Sequence, residues 1–313
     1  MKKKSLLLIS VLSLLILLFS GFSYAEGYLY QQNIEKYQPL SLVTSREYKF
    51  LLGTTPFVNG LDNGYKKLWE IAKAVAKEKG FQVKENEDAF KVGISAKIYM
   101  DTQDALLRVA GYVLRKQIKY KKGKPTTSYK FTAKFISPDL YKVLGTSFPL
   151  PVGIKSSRKI EENVSLDKNG NLRSYFENAI KVKTKKELCK DTFGSWKALF
   201  LGLGNTCMAN EVKLIPRVAY SYKVEPGVIL FGDGVKGEVE IELWTHELGG
   251  APFTGEFSFT IKTKDYYKVK NALKNSEDFY RAFASAAFNF APKDAFKWKG
   301  SKVRVLFNMP VEK

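Results

Sequence analysis

The chain has 313 residues, with 51 lysine and arginine against 31 aspartate and glutamate, a formal net charge of +20. Such a field attracts polyanions such as phosphates, nucleic acid or an anionic membrane face; charge alone does not choose among them or exclude a basic surface without local purpose. Two cysteines and a single histidine, His246, distant from them in sequence make a poor zinc site.

The first 25 residues read as an export signal. Lys2, Lys3 and Lys4 precede an apolar run from Leu6 to Phe19, and Ser23-Tyr24-Ala25 is a small-x-small cleavage sequence. The apolar run is shorter than the roughly 20 residues of a spanning helix, and no cysteine follows for a lipid anchor. An uncleaved anchor is the alternative. The expectation is a periplasmic or secreted protein with no transmembrane span in the mature chain. Removing residues 1–25 takes three lysines and no acids, leaving 48 basic against 31 acidic side chains.

Residues 26–43 read as an exposed lead-in. The first strand runs from Thr44 to Leu51, where alternation puts Ser45, Glu47 and Lys49 on one face and Tyr48 and Phe50 on the other. A helix follows, with Asp62 as N-cap and Gly80 as stop. Leu68, Trp69, Ala72, Val75 and Ala76 form its apolar stripe. Alternation then recurs in Val92–Tyr99, Ser128–Phe135, Ser156–Val164, Val212–Lys223, Glu238–Leu243 and Glu256–Lys262. Together these segments make about eight strands. Their polar faces either meet water around a sandwich or line a closed barrel, and periodicity does not separate the two. The mix of Glu with Lys and Arg on those faces leans toward the barrel. Helices near 266–274 and from Ser276 to Phe290 would cover its outside.

Residues 137–155 and 165–210 read as excursions. The second opens with the turn sequence Asp167-Lys168-Asn169-Gly170 and holds Cys189 and Cys207, which could form one disulfide in an oxidising compartment. No internal repeat and no aromatic ladder for RNA is visible, and no specific nucleic-acid partner is expected. His246 falls in a turn after a strand.

The stretch Lys97–Lys134 carries the most specific pattern. Tyr99, Asp101, Thr102, Asp104, Leu107, Gly111, Leu114, Arg115 and Lys116 fall in an order that resembles the CYTH family, the triphosphate tunnel metalloenzymes. The resemblance covers roughly residues 44–263. It implies an α+β fold: a closed eight-stranded antiparallel β-barrel, or tunnel, with helices packed outside. That makes 44–313 a single tunnel domain with an insertion at about 165–210.

The resemblance also implies a site. The family's first strand is Glu-x-Glu-x-Lys; here Glu47 and Lys49 match, but Ser45 stands at the first Glu. Phosphate-binding candidates are Lys49, Lys97, Arg115, Lys134, Lys159 and Arg217. Metal candidates are Glu47, Glu161, Glu240 and Glu242, with Glu47, Lys49 and Glu240 the catalytic set. Asp101, Thr102 and Asp104 more naturally cap the turn after their strand. Hydrolysing a phosphoanhydride needs charge neutralised around the transferred group, and an ion such as Mg²⁺ or Mn²⁺ takes one or two carboxylates for it. The resemblance therefore implies metal-dependent hydrolysis of tripolyphosphate, longer polyphosphate or nucleoside triphosphate. A serine hydroxyl is a poor ligand for such an ion, so the alternative is a non-catalytic tunnel that binds a polyanion or a partner protein.

Overall fold

The computed structural model describes residues 40, 42–167, 169–262, 268–292 and 301–308. The export signal and most of the lead-in lie outside them. No helix among the described residues is long and apolar enough to cross a membrane.

Eleven strands form one sheet: β1 (Ser45–Leu52), β2 (Gln82–Glu85), β3 (Gly93–Asp101), β4 (Tyr112–Lys121), β5 (Lys124–Ser137), β6 (Ser156–Leu166), β7 (Leu172–Thr184), β8 (Ile215–Val224), β9 (Gly227–Gly232), β10 (Val235–Thr245) and β11 (Pro252–Lys262). Nine close on themselves in the order β11-β1-β6-β7-β5-β4-β3-β8-β10, with β10 pairing back onto β11. The short strands β9 and β2 branch from β10.

This corrects the eight-stranded antiparallel expectation in two respects. Strand β7 lies inside the stretch read as an insertion, so the excursions flank a barrel strand. And β1 runs parallel to β6, with Ser45 opposite Glu161 and Glu47 opposite Asn163. A parallel neighbour needs a long crossover rather than a hairpin, and more than 100 residues separate these two strands.

Six helices are present among the described residues: α1 (Leu61–Glu78), α2 (Leu106–Val109), α3 (Leu140–Gly145), α4 (Phe193–Leu199), α5 (Lys270–Ala286) and α6 (Lys302–Leu306). The expected stripe of α1 is buried in full, but its N-cap is Gly60, and Asp62 lies in the first turn. Helix α5 lays Phe279, Tyr280 and Phe283 on the barrel's apolar exterior, where Phe283 stacks on Phe257 at 4.0 Å between ring centres. Beneath this helix, outward-facing Arg46 binds Glu162 at 2.7 Å and Glu277 at 2.9 Å.

The excursions pack over the opposite exterior. Phe193, Trp196 and Phe200 join Phe131, Ile180 and Val182 in one core with Phe148. Cys189 is buried in that core and Cys207 is exposed, both as free thiols. The alternation seen in the sequence thus has one prevailing meaning. Most apolar side chains point outward beneath helices and excursions and most charged ones point in, with the outward Arg46–Glu162 pair and the inward Tyr99, Val113 and Trp244 as exceptions.

Candidate functional site in a closed-ended charged barrel

The inward residues converge on one cavity of about 650 Å³. Strand β1 supplies Glu47 and Lys49, β3 Lys97, β4 Arg115, β5 Lys130 and Lys134, and β6 Lys159 and Glu161. Strand β7 adds Glu177 and Lys181, β8 Lys223, β10 Glu240 and Glu242, and β11 Glu256. The lining is not uniform, and its two kinds of wall behave differently.

On the carboxylate side, every acid has an answering group. Glu47 meets Lys49 at 3.0 Å. Glu161 meets Lys159, and the Ser45 hydroxyl donates to it at 3.0 Å. Thus the parallel pairing of β1 with β6 sets a carboxylate against the serine that replaces the motif's first acid. Burial pushes Glu161 up to about 7, helped by the Glu47 and Glu177 carboxylates and opposed by Lys159 and Lys49. Burial would raise Glu47 too, but Lys49, Lys159 and a hydrogen bond with Glu161 hold it well below the carboxylate range. Burial thus favours the protonated form of Glu161 beside an ionised Glu47.

Glu177 takes two hydrogen bonds from Lys134, at 2.8 and 2.9 Å. These outweigh its burial and hold it at about 2, with help from Lys49. Glu240 meets Lys223 at 3.0 Å. Glu242 is reached by Lys97, Lys302 and the Ser221 hydroxyl. Burial opposes its ionisation, but Lys302 and Lys97 hold it well below the ordinary value.

The other wall is cationic, and among the described residues it makes no ion pair. Arg115 is half-buried; its Nε has no hydrogen-bond partner, and its guanidinium lies 5.9 Å from the Tyr99 ring centre. Burial opposes its charged form, but Tyr99, Glu242 and Glu177 outweigh burial and favour it. Among the described residues, neither Lys130 nor Lys181 has an ion-pair partner. Burial lowers Lys130 to about 7, reinforced by Arg115, Lys181, Lys97 and Lys183. Burial likewise lowers Lys181 to about 8, reinforced by Lys134, Lys159 and Arg115 and opposed by Glu177.

One mouth is stopped. Tyr99, Val113, Ala219 and Trp244 form an apolar cluster that α6 and the residue after it complete with Val303, Leu306 and Phe307. Ser301 and Lys302 face the cavity from this plug.

The expected site residues largely meet. Glu47, Lys49, Lys97, Arg115, Lys134, Lys159, Glu161, Glu240 and Glu242 all line the cavity, and Arg217 does not. Its guanidinium donates to the Gln103 carbonyl at 3.2 Å and lies 4.4 Å from the Phe307 ring centre, so it holds the plug and the motif loop. That loop is a capping device, as read from the sequence. The Asp101 carboxylate accepts from the backbone of Thr102, Leu107 and Arg108 at 2.8 to 2.9 Å, and the Thr102 hydroxyl accepts from Leu106 at 2.9 Å. Gly111 closes it at φ +84°, where an added Cβ would lie 2.8 Å from the Ile136 carbonyl. His246 is exposed and stacks on Phe253, 3.9 Å between ring centres.

Sequence reasoning missed Lys130, Lys181, Glu177, Glu256 and Lys302. Lys130 shares its strand face with Lys134, so parity alone would have found it. Glu177 and Lys181 alternate with Phe176, Ile180 and Val182, a strand signal overlooked inside the supposed insertion.

The donor set suits a hard divalent ion in one place. Glu47 and Glu161 both face the cavity and offer carboxylate oxygens only. Among the described residues there is no group of three or more acidic, histidine or cysteine ligands. An ion there would complete its coordination with water and with oxygens of a bound substrate, as Mg²⁺ commonly does. Glu242 is already encircled by cations.

In architecture the chain is a closed barrel whose charged interior forms a blind tunnel. A closed barrel with a charged interior and helices outside is what the motif resemblance implies, here with one strand more and one parallel pairing. No protein-family model and no curated protein sequence matches the chain. Solved structures give faint likenesses. A protein from Hippeastrum, named as an adenylyl cyclase and described as having a dominant triphosphatase activity, is 11% identical at a TM-score of 0.41, over 86% of this chain and 98% of that one. A Bacillus halodurans protein named as an adenylate cyclase is 11% identical at a TM-score of 0.36, over 84% and 97%. A Pyrococcus horikoshii protein is 11% identical at 0.32, over 76% and 89%. Likenesses of this strength add nothing to the chemistry, which rests on the cavity itself.

Proposed function

We propose that the blind barrel binds a triphosphate or polyphosphate and hydrolyses its terminal anhydride with a divalent ion, Mg²⁺ or Mn²⁺, at Glu47 and Glu161. The observation that carries this reading is the cationic wall of Arg115, Lys130 and Lys181, which makes no ion pair among the described residues. Partly buried like charges that make no ion pair are costly, and a multivalent anion relieves that cost where a neutral ligand would not. Arg115 suits two-point contact with phosphoryl oxygens, and the lysines serve as point charges.

In this reading the chain's own residues divide the work. Arg115, Lys130 and Lys181 hold the phosphate chain and neutralise the leaving phosphate. Lys49 and Lys134 stay paired and keep Glu47 and Glu177 ionised. A water attacks the terminal phosphorus, the bridging P–O bond breaks, and the water's proton passes to the departing phosphate oxygen. A bound divalent ion would supply Lewis-acid neutralisation of the non-bridging oxygens. Reading residues 1–25 as an export signal supports an activity outside the cytoplasm.

A second reading is a tunnel that binds the polyanion without cleaving it. Ser45 in place of a carboxylate favours it, as does the answering of each inward acid by a lysine. Phosphate release from tripolyphosphate with Mg²⁺ or Mn²⁺ separates the two. Release supports hydrolysis, binding without release supports the second reading, and absence of both defeats both. Ser45→Glu sharpens the assay by adding a third carboxylate beside Glu47 and Glu161. Metal affinity and rate should then rise together, by about tenfold if one added ligand contributes about 1.4 kcal/mol.

A further inference from the structure

Glu242 and Glu256 stand directly opposite each other on β10 and β11, and both face the cavity. Two buried carboxylates in register repel one another and call for a cation between them. The chain brings one from its far end. Lys302 contacts Glu242 and lies 3.2 Å from Glu256, with its ammonium 5.2 Å from the Trp244 ring centre. Lys97 also reaches Glu242, but among the described residues Lys302 is the ion-pair partner of Glu256. The apolar plug holds this lysine in place, because Val303, Leu306 and Phe307 pack onto Tyr99, Val113 and Trp244.

The Glu47–Glu161 pair contrasts with it. Lys49 meets only Glu47 and Lys159 only Glu161, each from the same strand as its acid, and among the described residues no single lysine is paired with both carboxylates. One carboxylate pair therefore has a resident cation and the other has room for one.

We propose that Lys302 is the resident cation of the Glu242–Glu256 pair, standing where a late acidic strand would otherwise hold a divalent ion, so that the barrel accepts such an ion only at Glu47–Glu161. The second half of this statement rests on the proposed metal use at Glu47–Glu161; the first half does not. The late acids Glu240 and Glu242 then act as fixed charges that anchor the plug and its lysine.

The test is Mn²⁺ binding, followed by electron paramagnetic resonance and by thermal denaturation, on the purified protein and on Lys302→Met and Lys302→Arg. Lys302→Met should melt on the order of 5 to 10 °C lower in chelator, as expected for breaking a buried ion pair. Millimolar Mn²⁺ should restore at least half of that loss, with about one more Mn²⁺ bound than by the parent. Lys302→Arg should behave as the parent. A folded Lys302→Met whose melting is indifferent to Mn²⁺ would overturn the proposal. Should that variant not fold, the parent scaffold decides. Glu242→Gln should leave its Mn²⁺ binding unchanged while Glu47→Gln lowers it at least tenfold; loss of binding in Glu242→Gln overturns the proposal. If instead the parent binds no Mn²⁺ but Lys302→Met gains an ion, the metal reading at Glu47–Glu161 fails while the role of Lys302 stands.

Discussion

The two walls of the barrel are built from the same residue types on the same alternating strands, yet they are finished differently. On the carboxylate wall, Glu47, Glu161, Glu177, Glu240 and Glu242 each have a lysine of the chain beside them. On the cationic wall, Arg115, Lys130 and Lys181 face one another, and burial with mutual repulsion lowers both lysines. The difference teaches where the ligand belongs. A paired charge is satisfied by the fold, whereas an unpaired, partly buried charge is tolerated by the fold and satisfied by something else.

The strongest way to break this comparison is to discharge the cationic wall. Replacing Arg115, Lys130 and Lys181 together by Met should lower tripolyphosphate affinity at least a thousandfold, since each charged hydrogen bond contributes about 1.5–3 kcal/mol. Calorimetric titration measures it. Replacing exposed Lys121, Lys122 and Lys124 removes the same charge from the outside of the barrel and should change affinity less than threefold at 0.15 M salt. Equal losses in the two variants would mean that overall basicity, and not the enclosed wall, attracts the anion.

A smaller effect comes from pH. In the free protein Lys130 sits at about 7 and Lys181 at about 8. A bound polyanion raises both, so binding above pH 7 takes up protons. Affinity should therefore fall as pH rises from 7 to 9, approaching tenfold per unit for each lysine involved. It should level off below about pH 6, where both lysines are charged with or without ligand. Titrations at pH 8 in buffers of different ionisation enthalpy should show uptake of about one to one and a half protons. Proton release on binding would reverse the assignment of the two walls.

How much of this was legible in the sequence follows from the same contrast. The strand faces bearing Glu47, Lys49, Arg115, Lys134 and Glu242 could be read because alternation is local and the motif fixes an order. Asp101 and Thr102 could be read as caps because their partners lie within seven residues. Ring closure could not be read from periodicity, because a sandwich has the same alternation. The parallel pairing of β1 with β6 was hidden by the distance between them along the chain. It alone brings Glu161 against Ser45. Lys302 was hidden for a related reason, since nothing near it in the tail hints at Glu242 or Glu256. Arg217 has the right residue type, but the plug takes that end of the barrel.

The finest test of the comparison is one of stability, and it depends on sign. Lys130 has its value lowered in the folded chain from an ordinary 10.5 to about 7. Below pH 7 it is charged in both folded and unfolded states, so the fold bears the full cost of that buried, repelled charge. As pH rises from 7 toward the ordinary lysine range, the folded state sheds the proton first and the cost fades. Lys130→Met should therefore raise the melting temperature at pH 6, by about 2 to 4 °C if the screened cost is about 1 kcal/mol. At pH 10 the gain should shrink toward zero. Tripolyphosphate at saturating concentration should reverse the order at pH 6, because it stabilises the parent more than the variant. A fold that is less stable without its lysine at pH 6, with no anion present, would show Lys130 to be a satisfied structural charge, and the cationic wall would lose its claim to a ligand.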